Sequence, residues 1–217
     1  MYQTILFDLD GTLTDPGIGI TNSAAYALEK FGIQVDDRRE LYKWIGPPLQ
    51  DSFTQFCGFS KEDTKRAVVY YREYYKERGI YENRLYDGIE KMLKALFDAG
   101  KTLLVATSKP ELFAVQILEY FQISQYFTYV AGATMDGTRS KKEDVIACAL
   151  QAAGISDRSR TVMVGDREYD VIGAKKAGLS SIGVLYGYGS RRELADAGAD
   201  ALAEQPVDII RCCMPKA

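Results

Sequence analysis

The sequence predicts an α/β protein: a doubly wound, Rossmann-like parallel sheet with an all-helical insertion after the first strand. Five short apolar runs of strand length alternate with segments whose apolar residues recur at helical spacing. Such alternation indicates a parallel sheet covered by helices on both faces. Between about residues 16 and 83 the helical spacing continues without a strand. We therefore predict one domain from residues 1–15 and 84–217 and a second, helical domain from residues 16–83.

Local signals place the individual elements. The predicted strands cover residues 4–7, 102–106, 127–131, 161–164 and 181–184. Capping-box spacing predicts that core helices begin at two acidic or hydroxyl residues, Asp87 (with Glu90) and Ser140 (with Glu143). Glycine predicts the ends of three core helices, at Gly100, Gly154 and Gly178. In the insertion, Ser60 with Asp63 predicts the start of a helix that carries a tyrosine-rich stripe over residues 67–75.

The composition is that of a soluble globular chain. Hydrophobic residues make up 47% and charged residues 26% of the 217 residues, with a net charge of −3. A clustered basic excess is missing, so we expect neither a nucleic-acid nor a membrane-surface partner. Met1 leads directly into a strand, no apolar run is long enough to cross a bilayer, and the four cysteines lack CxxC spacing. We therefore expect a cytoplasmic protein with reduced thiols.

The chain contains no histidine. This absence excludes nucleophiles activated by histidine and the usual histidine-rich zinc sites. Acid–base chemistry near neutral pH must therefore rely on carboxylates, lysine, tyrosine, cysteine or a bound metal.

A pair of carboxylates follows the first predicted strand, in the segment Asp8-Leu9-Asp10-Gly11-Thr12. Asp8 and Asp10 share one face of an extended chain, and Gly11 allows the backbone to turn away. Two close carboxylates repel each other unless a cation neutralises them or one binds a proton. Oxygen ligands of this kind suit Mg²⁺, although the motif alone is also compatible with a solvated turn.

Three later segments follow other predicted strands. Thr107 and Ser108 follow the second strand, where backbone N–H groups can bind an anion. Lys142, with Lys141 as an alternative, lies just inside the helix that Ser140 opens after the third strand. Asp166 and Asp170 follow the fourth strand and share one face of a helical turn.

Taken singly, Thr107-Ser108 is better explained as a helix cap and Lys142 as a solvent-exposed lysine, and the two aspartates are compatible with a charged first turn. All of them, however, lie at the carboxyl ends of predicted parallel strands or in the loops that follow. In an open parallel sheet those ends meet in one crevice, where ligands bind. We therefore predict one catalytic site rather than several independent caps.

This ordered set of motifs resembles the haloacid dehalogenase-like hydrolase superfamily, and within it the phosphoglycolate phosphatases. The matching residues are Asp8-x-Asp10-Gly11-Thr12, Thr107, Lys142 and Gly165-Asp166-xxx-Asp170. The insertion is similar to the small helical cap of this family. Its segment Gly46-Pro47-Pro48-Leu49 resembles the cap loop that faces the substrate.

The resemblance implies a Mg²⁺-dependent phosphatase that forms an aspartyl-phosphate intermediate. It assigns Asp8 as nucleophile, Asp10 as general acid and base, and Thr107 and Lys142 as residues that stabilise the phosphoryl group. It implies that the metal is bound by Asp8, Asp10, Asp166 and Asp170. The implied substrate contacts are Asp8, Leu9, Asp10, Gly11, Thr12, Gly46, Thr107, Ser108, Lys109 and Lys142.

The expected partner is a small phosphorylated metabolite, with phosphoglycolate-like substrates first. Alternatives are a 5'-nucleotidase-type phosphatase, a sugar-phosphate mutase, or a non-enzymatic phosphorylation switch similar to a receiver domain. In the insertion, Asp15, Lys43 and Trp44 are candidate leaving-group contacts. Asp15 is more simply explained as a turn residue and Trp44 as a core residue. The sequence does not indicate an oligomeric state.

Overall fold

The computed structural model of the protein describes residues 1–214, and the chain divides into two compact units. The core unit comprises Met1–Thr14 and the chain from Leu85 onward, and the helical unit comprises Asp15–Arg84. Asp15 and Arg84, which the sequence placed with the core, group with the helical unit. Within it the Asp15 carboxylate pairs with the Arg84 guanidinium at 2.8 Å.

The core unit is built on a six-stranded parallel sheet. In chain order, the strands of residues 1–214 are β1 (Thr4–Phe7), β2 (Thr14–Asp15), β3 (Arg84–Leu85), β4 (Thr102–Pro110), β5 (Tyr129–Ala133), β6 (Thr161–Gly165), β7 (Ser180–Val184) and β8 (Ala201–Ala203), and all except β2 and β3 belong to this sheet. The sheet order is β5-β4-β1-β6-β7-β8, and its neighbouring strands pair in parallel. Strands β2 and β3 form a separate two-stranded sheet where the chain passes between the units. The predicted α/β fold class is confirmed.

Helices follow the core strands in alternation. Those of the core unit are α4 (Ile89–Asp98), α5 (Glu111–Tyr120), α6 (Lys142–Ala152), α7 (Glu168–Lys176), α8 (Arg191–Ala197) and α9 (Pro206–Cys213), with short 3₁₀ turns at Ser124–Tyr126 and Arg158–Arg160. The helical unit contains α1 (Gly17–Glu29), a 3₁₀ helix (Arg38–Trp44), α2 (Leu49–Cys57), α3 (Lys61–Tyr74) and a π turn (Tyr75–Gly79). Across residues 1–214, no helix combines the length and apolar character needed to cross a membrane.

Strand β1 lies in the middle of the sheet, between β4 and β6. Its four residues are buried, as the continuous apolar run predicted for a strand covered on both faces. Leu6, Leu104 and Met163 lie on adjacent strands and pack with Ile146 of α6 in one buried cluster. This packing fixes the strand register, and therefore the relative positions of the strand ends.

Most helix and strand signals agree with the structure, and the two core capping boxes are wrong. Helix α4 follows Gly88 and α6 follows Lys141, and neither has a side-chain cap. In both cases the helix begins one residue later than predicted, which moves Asp87 and Ser140 out of the capping position. Ser60 does cap α3, by accepting a hydrogen bond from the Asp63 amide. Three positive-φ glycines follow helix ends as expected: Gly100, Gly154 and Gly178.

Aromatic side chains form much of the core of the helical unit. Trp44 is 4% exposed and contacts Phe53 edge-on with ring centroids 4.8 Å apart. Tyr71 and Tyr75, from the predicted stripe, are buried and stacked at 5.6 Å. Lys43 lies 4.7 Å from the centre of the Phe56 ring. Trp44 therefore packs inside its own unit, as the simpler interpretation predicted.

We predict that Leu104→Ala lowers the free energy of unfolding of the core unit by about 2–5 kcal/mol, because it leaves a cavity in the packed sheet. Urea unfolding, followed by circular dichroism, measures the change. The matched control is Leu112→Ala, since Leu112 is 57% exposed. Similar losses in the two variants would contradict the assignment of Leu104 to the core.

Candidate active site

Three neighbouring strands deliver acidic and hydroxyl side chains to one edge of the sheet. Asp8 directly follows β1, Thr107 lies near the end of β4, and Asp166 directly follows β6. Because β1 pairs in parallel with both β4 and β6, their carboxyl ends lie side by side. Lys142 reaches the same edge from the first position of α6.

Lys142 connects two of the carboxylates. Its Nζ lies 3.0 Å from Asp8 Oδ1 and 2.8 Å from Asp170 Oδ1, and it donates to the Ala106 carbonyl at 3.2 Å. Burial opposes its charge, but attraction to Asp170 and Asp8 outweighs burial and raises the pKa of Lys142, so the ammonium persists. Lys141 is exposed. Of the two adjacent lysines, Lys142 is therefore the one at the site.

Asp166 and Asp170 are oriented by backbone amides. Asp166 Oδ2 accepts a hydrogen bond from the Tyr188 amide at 2.8 Å, and Asp170 Oδ2 accepts one from the Arg167 amide at 3.1 Å. Burial, together with repulsion by Asp170 and Asp8, raises the pKa of Asp166 well above its usual value. Burial also raises the pKa of Asp170, to about 6, although Lys142 opposes the shift. Both carboxylates therefore lack sufficient positive charge around them.

The carboxylates form a set that suits a divalent cation. One oxygen each of Asp8, Asp166 and Asp170 lies within 4.8 Å of the others, and all three residues are buried. With Asp10 the site holds four carboxylates, against the two lysines paired with them, Lys109 and Lys142. Two negative charges are left over when all groups are ionised. An Mg²⁺ ion bound by oxygen ligands would neutralise both.

Asp10 has a different partner from the other carboxylates. Lys109 Nζ donates to Asp10 Oδ2 at 2.6 Å, and both side chains are buried. Asp10 Oδ1 is also buried, and the described part of the chain offers it no hydrogen-bond partner. Burial raises the pKa of Asp10, with Lys109 opposing the shift and Asp8 adding to it. Burial therefore disfavours the charged form of Asp10, and the Lys109 ion pair opposes this effect.

The remaining predicted residues include Thr107, Ser108 and Leu9, which lie beside the carboxylates in sequence or along β4. Thr107 is 1% exposed, and its Oγ1 accepts a hydrogen bond from the Lys109 amide at 3.2 Å. The pairing of β4 with β5 is irregular between Ala106 and Pro110, so the chain bends where Thr107, Ser108 and Lys109 lie. The Leu9 amide donates to Asp8 Oδ1 at 2.8 Å.

Three further residues predicted to contact the substrate are Gly11, Thr12 and Gly46. Thr12 Oγ1 lies 3.5 Å from Asp166 Oδ1, at the limit of a hydrogen bond. Gly11 has φ +82°, and a Cβ there would overlap the Asp166 carboxylate. Gly46 belongs to the helical unit and is not part of the core-unit cluster.

The loop after β7 is a part of the site that sequence reasoning missed. The Tyr188 amide binds Asp166, and a Cβ at Gly187 or Gly189 would overlap atoms of Asp166. The Tyr186 hydroxyl donates to the Thr12 carbonyl at 3.0 Å, and so fixes the turn that carries Asp8 and Asp10. The available signal was the sequence Gly187-Tyr188-Gly189 soon after a predicted strand. Paired glycines there indicate close approach of a backbone to other groups.

The chain is similar to several known proteins over most of its length. It is 46% identical to a 5'-nucleotidase of Pseudomonas aeruginosa over 89% of this chain and 87% of that protein. It is 43% identical to the tyrosine-protein kinase PtkA of Mycobacterium tuberculosis over 86% of this chain and 63% of the kinase. A phosphoglycolate phosphatase of Vibrio parahaemolyticus is 28% identical over 96% of this chain and 94% of that protein.

A solved structure agrees with these sequence similarities. The crystal structure of a predicted phosphatase from Clostridium acetobutylicum superposes with a TM-score of 0.95, at 48% identity over 98% of both chains. The family model described as haloacid dehalogenase-like hydrolase matches residues 5–184, which include Asp8, Lys142 and Asp170. The chain therefore belongs to the haloacid dehalogenase-like hydrolase family, and it is a phosphatase of that family that acts on phosphoric monoesters.

Proposed function

We propose that this phosphatase uses Mg²⁺ and hydrolyses small phosphate monoesters through an aspartyl phosphate on Asp8. The observation that carries the proposal is the position of Lys142, which bridges Asp8 and Asp170 beside the buried Asp166. A buried nucleophilic carboxylate needs nearby positive charge to approach a phosphate dianion. Lys142 provides part of that positive charge. The carboxylates of Asp8, Asp166 and Asp170 offer ligands for a Mg²⁺ ion, which would supply the remainder.

In the first step, a carboxylate oxygen of Asp8 attacks phosphorus in line with the leaving oxygen. The new bond is the acyl phosphate, and the broken bond is that between phosphorus and the leaving group. Asp10 gives its proton to the leaving oxygen as that bond breaks. Lys142 offsets the charge between the Asp8 carboxylate and the phosphoryl oxygens, and we propose that Thr107 and the Ser108 amide bind those oxygens.

In the second step, Asp10, now a carboxylate, takes a proton from a water molecule as the water oxygen attacks the acyl phosphate. Inorganic phosphate leaves, and Asp8 is restored as a carboxylate. Mg²⁺ would be held by Asp8, Asp166 and Asp170 with the backbone carbonyl of Asp10, and it would supply neutralising charge and orientation for the phosphoryl group.

We propose a 5'-mononucleotide as the first substrate to test. The supporting observation is the 46% identity to a protein named 5'-nucleotidase, compared with 28% for one named phosphoglycolate phosphatase. Both similarities extend over most of the chain. Phosphoglycolate is therefore the second substrate, and the substrate panel below separates the two by their kcat/KM values.

A second candidate function is phosphoryl transfer to tyrosine, favoured by the 43% identity to a protein named tyrosine-protein kinase. This chain spans 63% of that kinase, so the similarity leaves a large part of the kinase unmatched. Incubation with Mg·ATP and a tyrosine peptide, followed by phosphotyrosine detection, tests it. Release of inorganic phosphate without phosphotyrosine favours the phosphatase.

We predict that Asp8→Asn abolishes turnover of every substrate in a panel of 5'-mononucleotides, phosphoglycolate and sugar phosphates, because an amide is a poor nucleophile. Phosphate release and acid-quench mass spectrometry of the protein measure turnover and the acyl phosphate. Asp136→Asn is the control, since Asp136 is an exposed aspartate of the same unit. Turnover by Asp8→Asn close to that of the wild type would show that another residue is the nucleophile.

We predict that millimolar Mg²⁺ raises the melting temperature of the wild type, because an ion that binds only the folded state stabilises it. The gain is about 2.7 kcal/mol at a concentration of one hundred times Kd. Asp166→Asn removes a ligand carboxylate, so its Mg²⁺-dependent shift should be much smaller, whereas Asp136→Asn should retain the full shift. The same Mg²⁺ shift in both variants would contradict the assigned ligand set. EDTA should reverse the shift and stop phosphate release.

We predict that Lys142→Met lowers kcat by about 10²–10³, since it removes one charge-stabilising donor. It should also destabilise the metal-free protein by about 3–5 kcal/mol, because Asp8 and Asp170 lose their buried counter-charge. Lys141→Met is the matched control, and it should change neither quantity appreciably. Steady-state kinetics and urea unfolding measure the two effects. Equal effects in the two variants would mean that the adjacent lysines were assigned wrongly.

A further inference from the structure

Lys109 forms a buried ion pair that the phosphoryl-transfer steps above do not use. The Lys109 side chain is 5% exposed and the Asp10 side chain is 12% exposed. Lys109 Nζ lies 2.6 Å from Asp10 Oδ2. Lys142, the other lysine of the site, contacts Asp8 and Asp170 instead. The two lysines therefore serve different carboxylates.

Stability alone is a weak explanation for this pair. Removing two charges from water costs several kcal/mol per ion, and apolar residues of similar volume are often as stabilising as a buried pair. What the pair does provide is a fixed geometry. The Lys109 amide is held by Thr107 Oγ1 at 3.2 Å, in the irregular segment of β4, so the lysine itself is anchored from its backbone.

The pair makes the two oxygens of Asp10 different. Oδ2 is held by the Lys109 ammonium, whereas the buried Oδ1 has no hydrogen-bond partner among residues 1–214. A carboxyl group that serves first as acid and then as base has to face two different oxygen atoms in turn, so a fixed orientation favours both steps. An aspartate held through one oxygen can rotate little about its terminal bond.

We propose that Lys109 is a positioning residue, which holds Asp10 through Oδ2 and so keeps the Asp10 carboxyl group in one orientation during both steps. The inference rests on the proposed function, since it assigns a role within the same two steps. The proton of the Asp10 carboxyl group moves to the leaving oxygen as the bond to phosphorus breaks. The Asp10 carboxylate then accepts a proton from the water that attacks the acyl phosphate.

This role predicts that loss of Lys109 depends on the leaving group. Alkyl phosphates, including nucleotides, need a proton on the departing oxygen, whereas p-nitrophenolate leaves without one. Lys109→Met should lower the single-turnover rate of acyl-phosphate formation from an alkyl phosphate by about 10²-fold, the low end of general acid–base contributions. The same rate with p-nitrophenyl phosphate should fall by less than about threefold, a difference set by the missing proton transfer.

Controls separate this role from a structural one. Lys101 is also a buried lysine beside β4, and its Nζ donates to the Tyr2 carbonyl at 2.7 Å, away from the four carboxylates. Lys101→Met should therefore affect melting temperature without changing the ratio of the two single-turnover rates. Lys109→Arg retains the charge with a different reach, and we expect it to recover part of the alkyl phosphate rate. It also carries the leaving-group comparison if Lys109→Met fails to fold.

A double-mutant cycle with Asp10→Asn provides the decisive comparison. If Lys109 acts through Asp10, then Lys109→Met should have little further effect on the alkyl phosphate rate in the Asp10→Asn background. Additive losses would overturn the proposal, and would indicate that Lys109 contacts the substrate directly. A similar loss with both leaving groups would also overturn it. The proposed function fails separately, if the wild type forms no acyl phosphate on Asp8.

Discussion

Four buried carboxylates at one edge of the sheet are the constraint on which the rest of the core unit depends. Like charges at short range and out of water are costly, and burial raises the pKa of three of these groups. The structure limits the cost with two buried lysines, each assigned to different carboxylates, and with amide donors to Asp166 and Asp170. The negative charge that remains is what the proposed Mg²⁺ would neutralise.

The backbone of the neighbouring loops approaches these carboxylates closely, and glycine makes that approach possible. At Gly11, Gly187 and Gly189 a Cβ would overlap atoms of Asp166, and at Gly165 it would overlap Asp170. The turn after β1 is tied from outside by the Tyr186 hydroxyl. Loops that are distant in sequence therefore pack on one another around the carboxylates. A side chain added at any of these glycines would displace an acidic group, so the site and the local packing are the same structure.

The site also separates two tasks that carboxylates perform in phosphoryl transfer. Asp8 and Asp170 share Lys142, and in the proposed mechanism they serve the phosphoryl group and the cation, whereas Asp10 is held by Lys109 and serves as the proposed acid and base. This division of roles assigns no residue to recognition of the leaving group. Relatives named for different substrates, a 5'-nucleotidase and a phosphoglycolate phosphatase, are accordingly similar to this chain over most of its length. The core chemistry can be common to them while the leaving group differs.

The sequence alone predicted the fold class, the core strands β1, β4, β5, β6 and β7, and the residues expected at the sheet edge, because strand and helix periods are local properties of the chain. It did not predict β8, the sixth strand of the sheet. It misplaced the starts of α4 and α6 by one residue, since Gly88 and Lys141 precede these helices without a side-chain cap. Only the tertiary structure decided between Lys141 and Lys142, paired Lys109 with Asp10, and brought the Tyr186–Gly189 loop onto Asp166. Those outcomes depend on distances between side chains that are far apart in the chain, and such distances follow from how the strands and loops pack.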